Sequence, residues 1–334
     1  METAEKSTLQ LQDADMPRLF QLSDRLAVTA QRRYFRGVTL YIVALVGASV
    51  TQAAISLGPK LINWGCKLIN RPCSVPEDSW WVTCLMILLA GFFLFTLATR
   101  SVLRKRQWER IWCISRRIAE ESRRLTWLYI MGLSCNGDEQ GDQTATEVCH
   151  RRFVDEIEPL LSKWGDIATG DVDLQLDVPE ISAGMDRIRT ASFRDQIEFY
   201  KTYRVAEQAN WFHDKARFNN RQLTRCYWIM NIAEAMALLL SIVLIIQRDK
   251  NWIPSIYPFL GLAAALLAWI AHKRYGELAI VYEDTAAELM KIYDQLIEIH
   301  DETTDRERFF QLVKDCENLL AQENAFWLNR RGFA

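Results

Sequence analysis

Four stretches, each about twenty residues long, carry almost no charge, and that pattern confines the chain to a membrane-spanning helical architecture. Residues 37–59 and 79–99 contain no Asp, Glu, Lys or Arg. Residues 226–247 contain Asn231 and Glu234, yet 236–246 is intensely apolar. Residues 251–271 are again uncharged and are closed by His272, Lys273 and Arg274. At ~1.5 Å per residue, each stretch reaches across a hydrocarbon core of ~30 Å. One long apolar helix can hide inside a soluble core, but four flanked by Arg and Trp rarely do. The expected fold is all-α, with transmembrane helices at about 38–57, 80–99, 226–247 and 252–271, arranged as two hairpins.

Basic flanks set the expected orientation. Arg25, Arg32, Arg33 and Arg36 precede the first span, and Arg100, Arg104, Lys105 and Arg106 follow the second. Arg217, Arg221 and Arg225 precede the third, and Lys273 and Arg274 follow the fourth. The opposite loops are poorer, with Lys60, Lys67 and Arg71 in one and Arg248 and Lys250 in the other. Both termini are therefore expected in the cytoplasm. The first twenty residues are polar and lack the apolar core of a cleavable signal, so the first span is expected to act as the anchor. A net charge of -2 gives no global attraction to nucleic acid. Cys113, Cys135, Cys149, Cys226 and Cys316 fall in or beside cytoplasmic segments, where reduced thiols are expected. Cys66 and Cys73 share an outward loop, where a disulfide and two free thiols are both open readings.

Between the spans lie amphipathic segments. Residues 17–36 place Leu19, Leu22, Leu26 and Ala30 at helical spacing and lead into the first span. Residues 100–131 carry a stripe of Trp108, Ile111, Trp112, Ile114 and Ile118, with arginines on the remainder. An exposed loop is expected at 134–148, a short helix near 151–163, and irregular chain over 165–182. Long helices are expected over 184–225 and 273–301, and a last one near 304–331. The domain reading is a polar tail (1–16), a first unit (17–163), a linker (164–183) and a second unit (184–334). Such stripes need a partner surface, so a cytoplasmic helical bundle is expected.

Two stretches carry a resemblance. Residues 108–129, WERIWCISRRIAEESRRLTWLY, resemble the W…(R)xxAESxRxLTWxY signature of SLATT proteins, the SMODS- and SLOG-associating two-transmembrane effector domains. Trp108, Ala119, Glu120, Ser122, Thr126 and Trp127 fall on it, with Glu121 inserted. Residues 200–219, YKTYRVAEQANWFHDKARFN, are similar to the family's YxxxRxxxQxxWYxxKAxxN pattern through Tyr200, Arg204, Gln208, Trp211, Lys215, Ala216 and Asn219, with Phe212 in place of Tyr. Glu323 and Trp327 resemble its closing ExxxW. The resemblance covers most of the chain as two tandem units. It implies a membrane effector of prokaryotic anti-phage defence that permeabilises the bilayer in response to a nucleotide signal.

Glu234 is the sharpest single feature. A carboxylate at mid-membrane costs ~2.5–3.5 kcal/mol on insertion scales, so it faces protein or water. With Asn231 it lines a pore, or it sits near the interface because the span begins later; both readings stand. Ser49 and Gln52 are further pore-lining candidates, although polar contacts between packed helices explain them more simply. Arg116, Arg117, Arg123, Arg124, Arg151 and Arg152 are candidates for binding the phosphates of a nucleotide or oligonucleotide. The plainer reading is a solvated face paired with Glu109, Glu120 and Glu121.

Catalysis has no support: there is no GxSxG, HExxH or P-loop, and no cofactor or metal pattern. The leading expectation is a homo-oligomeric pore or ion channel, most simply a tetramer, gated by its cytoplasmic bundle. Its partners would be the bilayer, further copies of itself, and a nucleotide or oligonucleotide made by a partner nucleotidyltransferase. The alternative is a non-conducting scaffold that recruits a soluble partner.

Overall fold

A computed structural model describes residue 9 and residues 11–68, 80–133, 143–165, 179–248 and 250–330. Every regular element among them is helical. In order these are α1 (Arg18–Leu68), α2 (Trp80–Arg106), α3 (Trp108–Ile130), α4 (Gln143–Gly165), α5 (Ala183–Arg189), α6 (Phe193–Tyr200), a π-helical segment (Lys201–Ala206), α7 (Glu207–Gln247), α8 (Tyr257–Lys273), α9 (Tyr275–Ile297) and α10 (Glu302–Arg330). Short 3-10 turns at Asp13–Asp15 and Lys250–Ile256 complete the set.

Four helical stretches are long and apolar enough to cross a membrane: Arg18–Leu68, Trp80–Ile130, Phe193–Gln247 and Trp252–Ile297. Their apolar residues are largely exposed, as Ile245 (74%) and Ile246 (75%) illustrate, which suits a surface solvated by lipid or by other helices. The residues form two compact units, each drawing on both halves of the sequence. One comprises Met1–Arg32, Trp108–Ala216 and Ile280–Ala334; the other comprises Arg33–Gln107 and Arg217–Ala279.

The second unit holds the apolar spans. Along α1, Gly37, Gly47 and Gly58 each stand where a Cβ would collide with a side chain of α2, respectively Leu103, Phe92 and Trp81, at 2.7–2.8 Å. Numbers that rise on one helix as they fall on the other define an antiparallel hairpin, closed on a seam of small residues. Gly261 of α8 makes the same close approach to Ser49 of α1.

The first unit buries one apolar core. Leu19 and Leu22 from α1, Tyr129 and Ile130 from α3, and Phe153 and Ile157 from α4 join Tyr200, Leu289, Phe309 and Val313 from the later helices. All ten are fully buried or nearly so, so the amphipathic stripes of both halves cover one another.

Several expected elements are cut differently. The stretch expected as one helix over 184–225 is interrupted at 190–192, because Ser192 accepts the amide of Asp195 and starts α6 afresh. The helix leaving the second span breaks at Gln107 (φ 46°), and that leaving the fourth at Arg274 (φ 55°). Both are left-handed residues at equivalent places in the two halves, so span and polar helix are separate elements. Helix α4 begins at Gln143 inside the expected loop; the remainder of that loop lies outside the described residues, as does 166–178 of the expected irregular stretch. Helix α1 runs on through Pro59 to Leu68. Cys66 and Cys149 are each held in a disulfide of their own, and for Cys149 this replaces the expected reduced thiol; Cys73 and Cys135 lie outside the described residues.

Candidate functional site

Helix α3 is built so that its charges sit beside its core stripe. Trp112, Ile118, Leu125 and Tyr129 recur at helical spacing and are buried. The arginines between them are held by carboxylates. Arg116 donates to Asp24 of α1 at 3.1 Å and also pairs with Glu120. Arg123 pairs with Glu120 at 3.2 Å and lies over the Phe20 ring, 4.7 Å from its centroid. Arg124 pairs with Glu121 at 2.8 Å. Burial opposes the charge on Glu120, but Arg116, Arg123 and Arg204 together outweigh it and hold the carboxyl below its ordinary range.

Facing α3 is a buried clasp. The guanidinium of Arg204 donates to both carboxylate oxygens of Glu317, from Nε at 2.8 Å and from an Nη nitrogen at 2.7 Å. Tyr200 donates its hydroxyl to the same carboxylate at 3.0 Å. Arg204 is 3% exposed and Glu317 is 1% exposed. Trp127 closes the group, with the Arg204 guanidinium 5.4 Å from its ring centroid and with Phe199 and Tyr200 against it. Burial works against the charge of Arg204, yet Glu317 holds its acidity well below that of a free guanidinium. Burial also pushes the Cys316 thiol up to about 12, so this cysteine is an inert core group.

Arg204 itself lies in the π-helical segment Lys201–Ala206, a departure from regular winding that frequently marks functional positions. The carboxyl of Glu323 is half-buried nearby on α10. Burial, and then the negative charge of Glu120, raise it to about 7.

A cleft of about 160 Å³ opens beside the clasp, lined by Arg117, Glu120, Glu121 and Arg124 of α3, by Arg204, and by Glu317 and Asn324 of α10. Ligand pockets for drug-sized molecules run ~300–1,000 Å³. This one has room for a phosphate or a single side chain. Arg117 is exposed, and among the described residues it has no carboxylate partner, so it is the arginine of the cleft left to meet an incoming anion. Arg151 and Arg152 are exposed on α4 and do not line the cleft.

The motif residues separate by role. Trp127 is core. Trp211 is 41% exposed, with Lys215 stacked over its ring and Tyr282 and Phe212 beside it. Trp108 and Gln208 are half-buried, and Asn219 is buried. The side chain of Trp327 lies outside the described residues.

In the apolar unit, Glu234 and Asn231 are exposed on α7, while Ala233 and Ala237 are buried. Thirteen residues separate Glu234 from the end of α7 at Gln247, about 20 Å of helix. Gln52 is exposed on α1, whereas Ser49 donates to the Val46 carbonyl at 2.7 Å and packs against Gly261. Ser49 is thus a packing residue.

Glu317 and Asp24 were missed by the sequence reading. One signal for the clasp was present: Arg204 stands four residues after Tyr200, and Glu317 four after Val313, so both charges fall on apolar stripes where only a mutual partner makes burial tolerable.

Comparison with family models agrees with this architecture. The SMODS and SLOG-associating 2TM effector domain 3 matches residues 73–197, and the SMODS and SLOG-associating 2TM effector domain 1 matches residues 200–327. No curated protein and no solved structure matches the chain.

Proposed function

The chain belongs to the SLATT family, as a membrane protein carrying that two-transmembrane effector domain twice in tandem, and from this premise we propose that it is a homo-oligomeric pore of prokaryotic anti-phage defence. Its spans would lie in the inner membrane, with both termini in the cytoplasm.

The observation that carries the reading is Glu234. In a single copy this carboxylate is exposed on an apolar helix, and with the span at 226–247 hydrocarbon would surround it. That arrangement costs ~2.5–3.5 kcal/mol and is relieved when further copies turn the same face toward a shared aqueous path. Asn231, three residues earlier, adds a second polar group to that face. The exposed Gln52 of α1 is a further candidate lining group. A tetramer is the simplest ring that encloses such a path.

Gating is assigned to the polar unit. A phosphate of a nucleotide or oligonucleotide, supplied by a partner nucleotidyltransferase, or an acidic side chain of a partner protein, would enter the cleft at Arg117. It would compete there with Glu121 for Arg124. Helices α3 and α10, which line this cleft together, are the elements such a ligand would shift.

The test is ion flux from liposomes containing the purified protein, measured with Glu234→Gln alongside. The reading expects oligomers that conduct, with altered conductance or cation preference in the variant. A monomeric protein without conductance would refute it. An unchanged flux together with loss of a soluble partner on surface substitution of the polar unit would support the scaffold alternative.

A further inference from the structure

The apolar unit carries an open groove of about 670 Å³ between α1, α2 and α8. Its lining is almost wholly apolar, including Val43, Val46 and Val50 of α1, Phe92 of α2, and Leu266 and Trp269 of α8.

The length of the groove is informative. On α1 it runs from Thr39 to Thr51, a rise of about 18 Å. Half of a ~30 Å hydrocarbon core is about 15 Å. Measured along the expected span at 38–57, the groove opens at the end beside the basic flanks and closes about one turn past the midpoint, so it does not cross the whole bilayer. That is the reach of one acyl chain.

Charge marks the open end. Arg36 stands three residues before Thr39 and seven before Val43, on the same face of α1 as the groove. It is exposed, and among the described residues it has no carboxylate partner. Lys273 stands four residues after Trp269 on α8, with its ammonium 4.9 Å from the Trp269 centroid and 3.2 Å from that of Phe35. On α1 and α8, two of the three helices lining the groove, a cation thus stands about one turn beyond the apolar wall. Trp269 closes that end as an interfacial aromatic.

We propose that this groove is a binding site for one anionic phospholipid of the leaflet beside the basic flanks, with an acyl chain along Val43, Val46 and Val50 and the phosphate between Arg36 and Lys273. A headgroup with a net negative charge gains from both cations, whereas a zwitterionic one brings its own ammonium into the same place. The lipid would be a structural member of the unit, filling a wall that α1, α2 and α8 leave open.

Native mass spectrometry of the full-length protein, released from neutral detergent, tests this directly. Phosphatidylglycerol and phosphatidylcholine with identical chains are added in separate titrations. The wild type is expected to retain one phosphatidylglycerol with roughly tenfold preference over phosphatidylcholine. Arg36→Gln with Lys273→Gln should abolish the preference, and Val46→Trp should fill the groove and reduce retention of both lipids. Helical circular dichroism confirms that each variant is folded, and the groove-filling variant keeps the test decisive if removing both charges impairs folding. Equal retention of the two lipids, or a preference that survives the double substitution, would overturn the site. So would a Val46→Trp protein that changes its number of copies while retaining lipid as before, since the groove would then be a contact between copies. None of these readings depends on whether the protein conducts.

Discussion

Breaking the clasp one side at a time should be far more damaging than removing it whole. Arg204 and Glu317 are both almost fully buried and share two hydrogen bonds of 2.8 and 2.7 Å. Glu317→Gln keeps the shape and an acceptor for Tyr200, but strands the Arg204 charge in the core. Arg204→Met strands the Glu317 carboxylate with the Tyr200 hydroxyl as its recorded hydrogen-bond donor. Each single change should cost about 3–5 kcal/mol. At about 2–4 °C per kcal/mol for a unit of this size, the melting temperature should fall by roughly 6–20 °C. The double change Arg204→Met with Glu317→Leu removes both charges and refills the volume, and should lie above either single variant. The assay is thermal melting of the purified protein in detergent, followed by near-ultraviolet circular dichroism. Hydrogen exchange on α6 and α10 would locate the loss. Single variants that melt within about 2 °C of wild type, or a double variant worse than both, would refute the reasoning.

Three further outcomes are expected. Glu323 binds its proton up to about pH 7 in the folded protein, whereas an unfolded carboxyl releases it near 4.5. The folded state therefore holds more protons between those values, so stability falls by about 2–3 kcal/mol as pH rises from 4.5 to 7 and is level beyond. Glu323→Gln should flatten that slope and raise the melting temperature above pH 7, which a melting series across pH would reveal. Gly47→Val should disrupt the α1–α2 hairpin, because its Cβ would lie 2.8 Å from the Phe92 ring; Phe92→Ala in the same chain should recover part of the loss, read as resistance to unfolding in detergent. Gln107→Gly should stabilise by up to about 1 kcal/mol, since glycine adopts φ 46° without the Cβ penalty, and its melting temperature should not fall below that of wild type.

What was legible in the sequence is what depends on local hydropathy and length. Residues 37–59, 80–99, 226–247 and most of 251–271 had to be long apolar helices, because an α-helix satisfies its own backbone amides beside hydrocarbon; the start of the fourth stretch is instead a 3-10 turn at Lys250–Ile256. The stripes of 100–131 and 304–331 likewise announced faces awaiting partners, and the motifs around Trp127 and Arg204 carried the family. What the tertiary structure alone decided is pairing. Arg204 and Glu317 are 113 residues apart, and no local rule joins them. The arginines of α3 read more simply as half of an ion-pair network than as phosphate ligands, and only the placement of Asp24, Glu120 and Glu121 separated Arg117 from the rest. The two halves, repeated in architecture, pool their polar helices into one core, because burial is decided by which surfaces meet and charge by which partner is within reach.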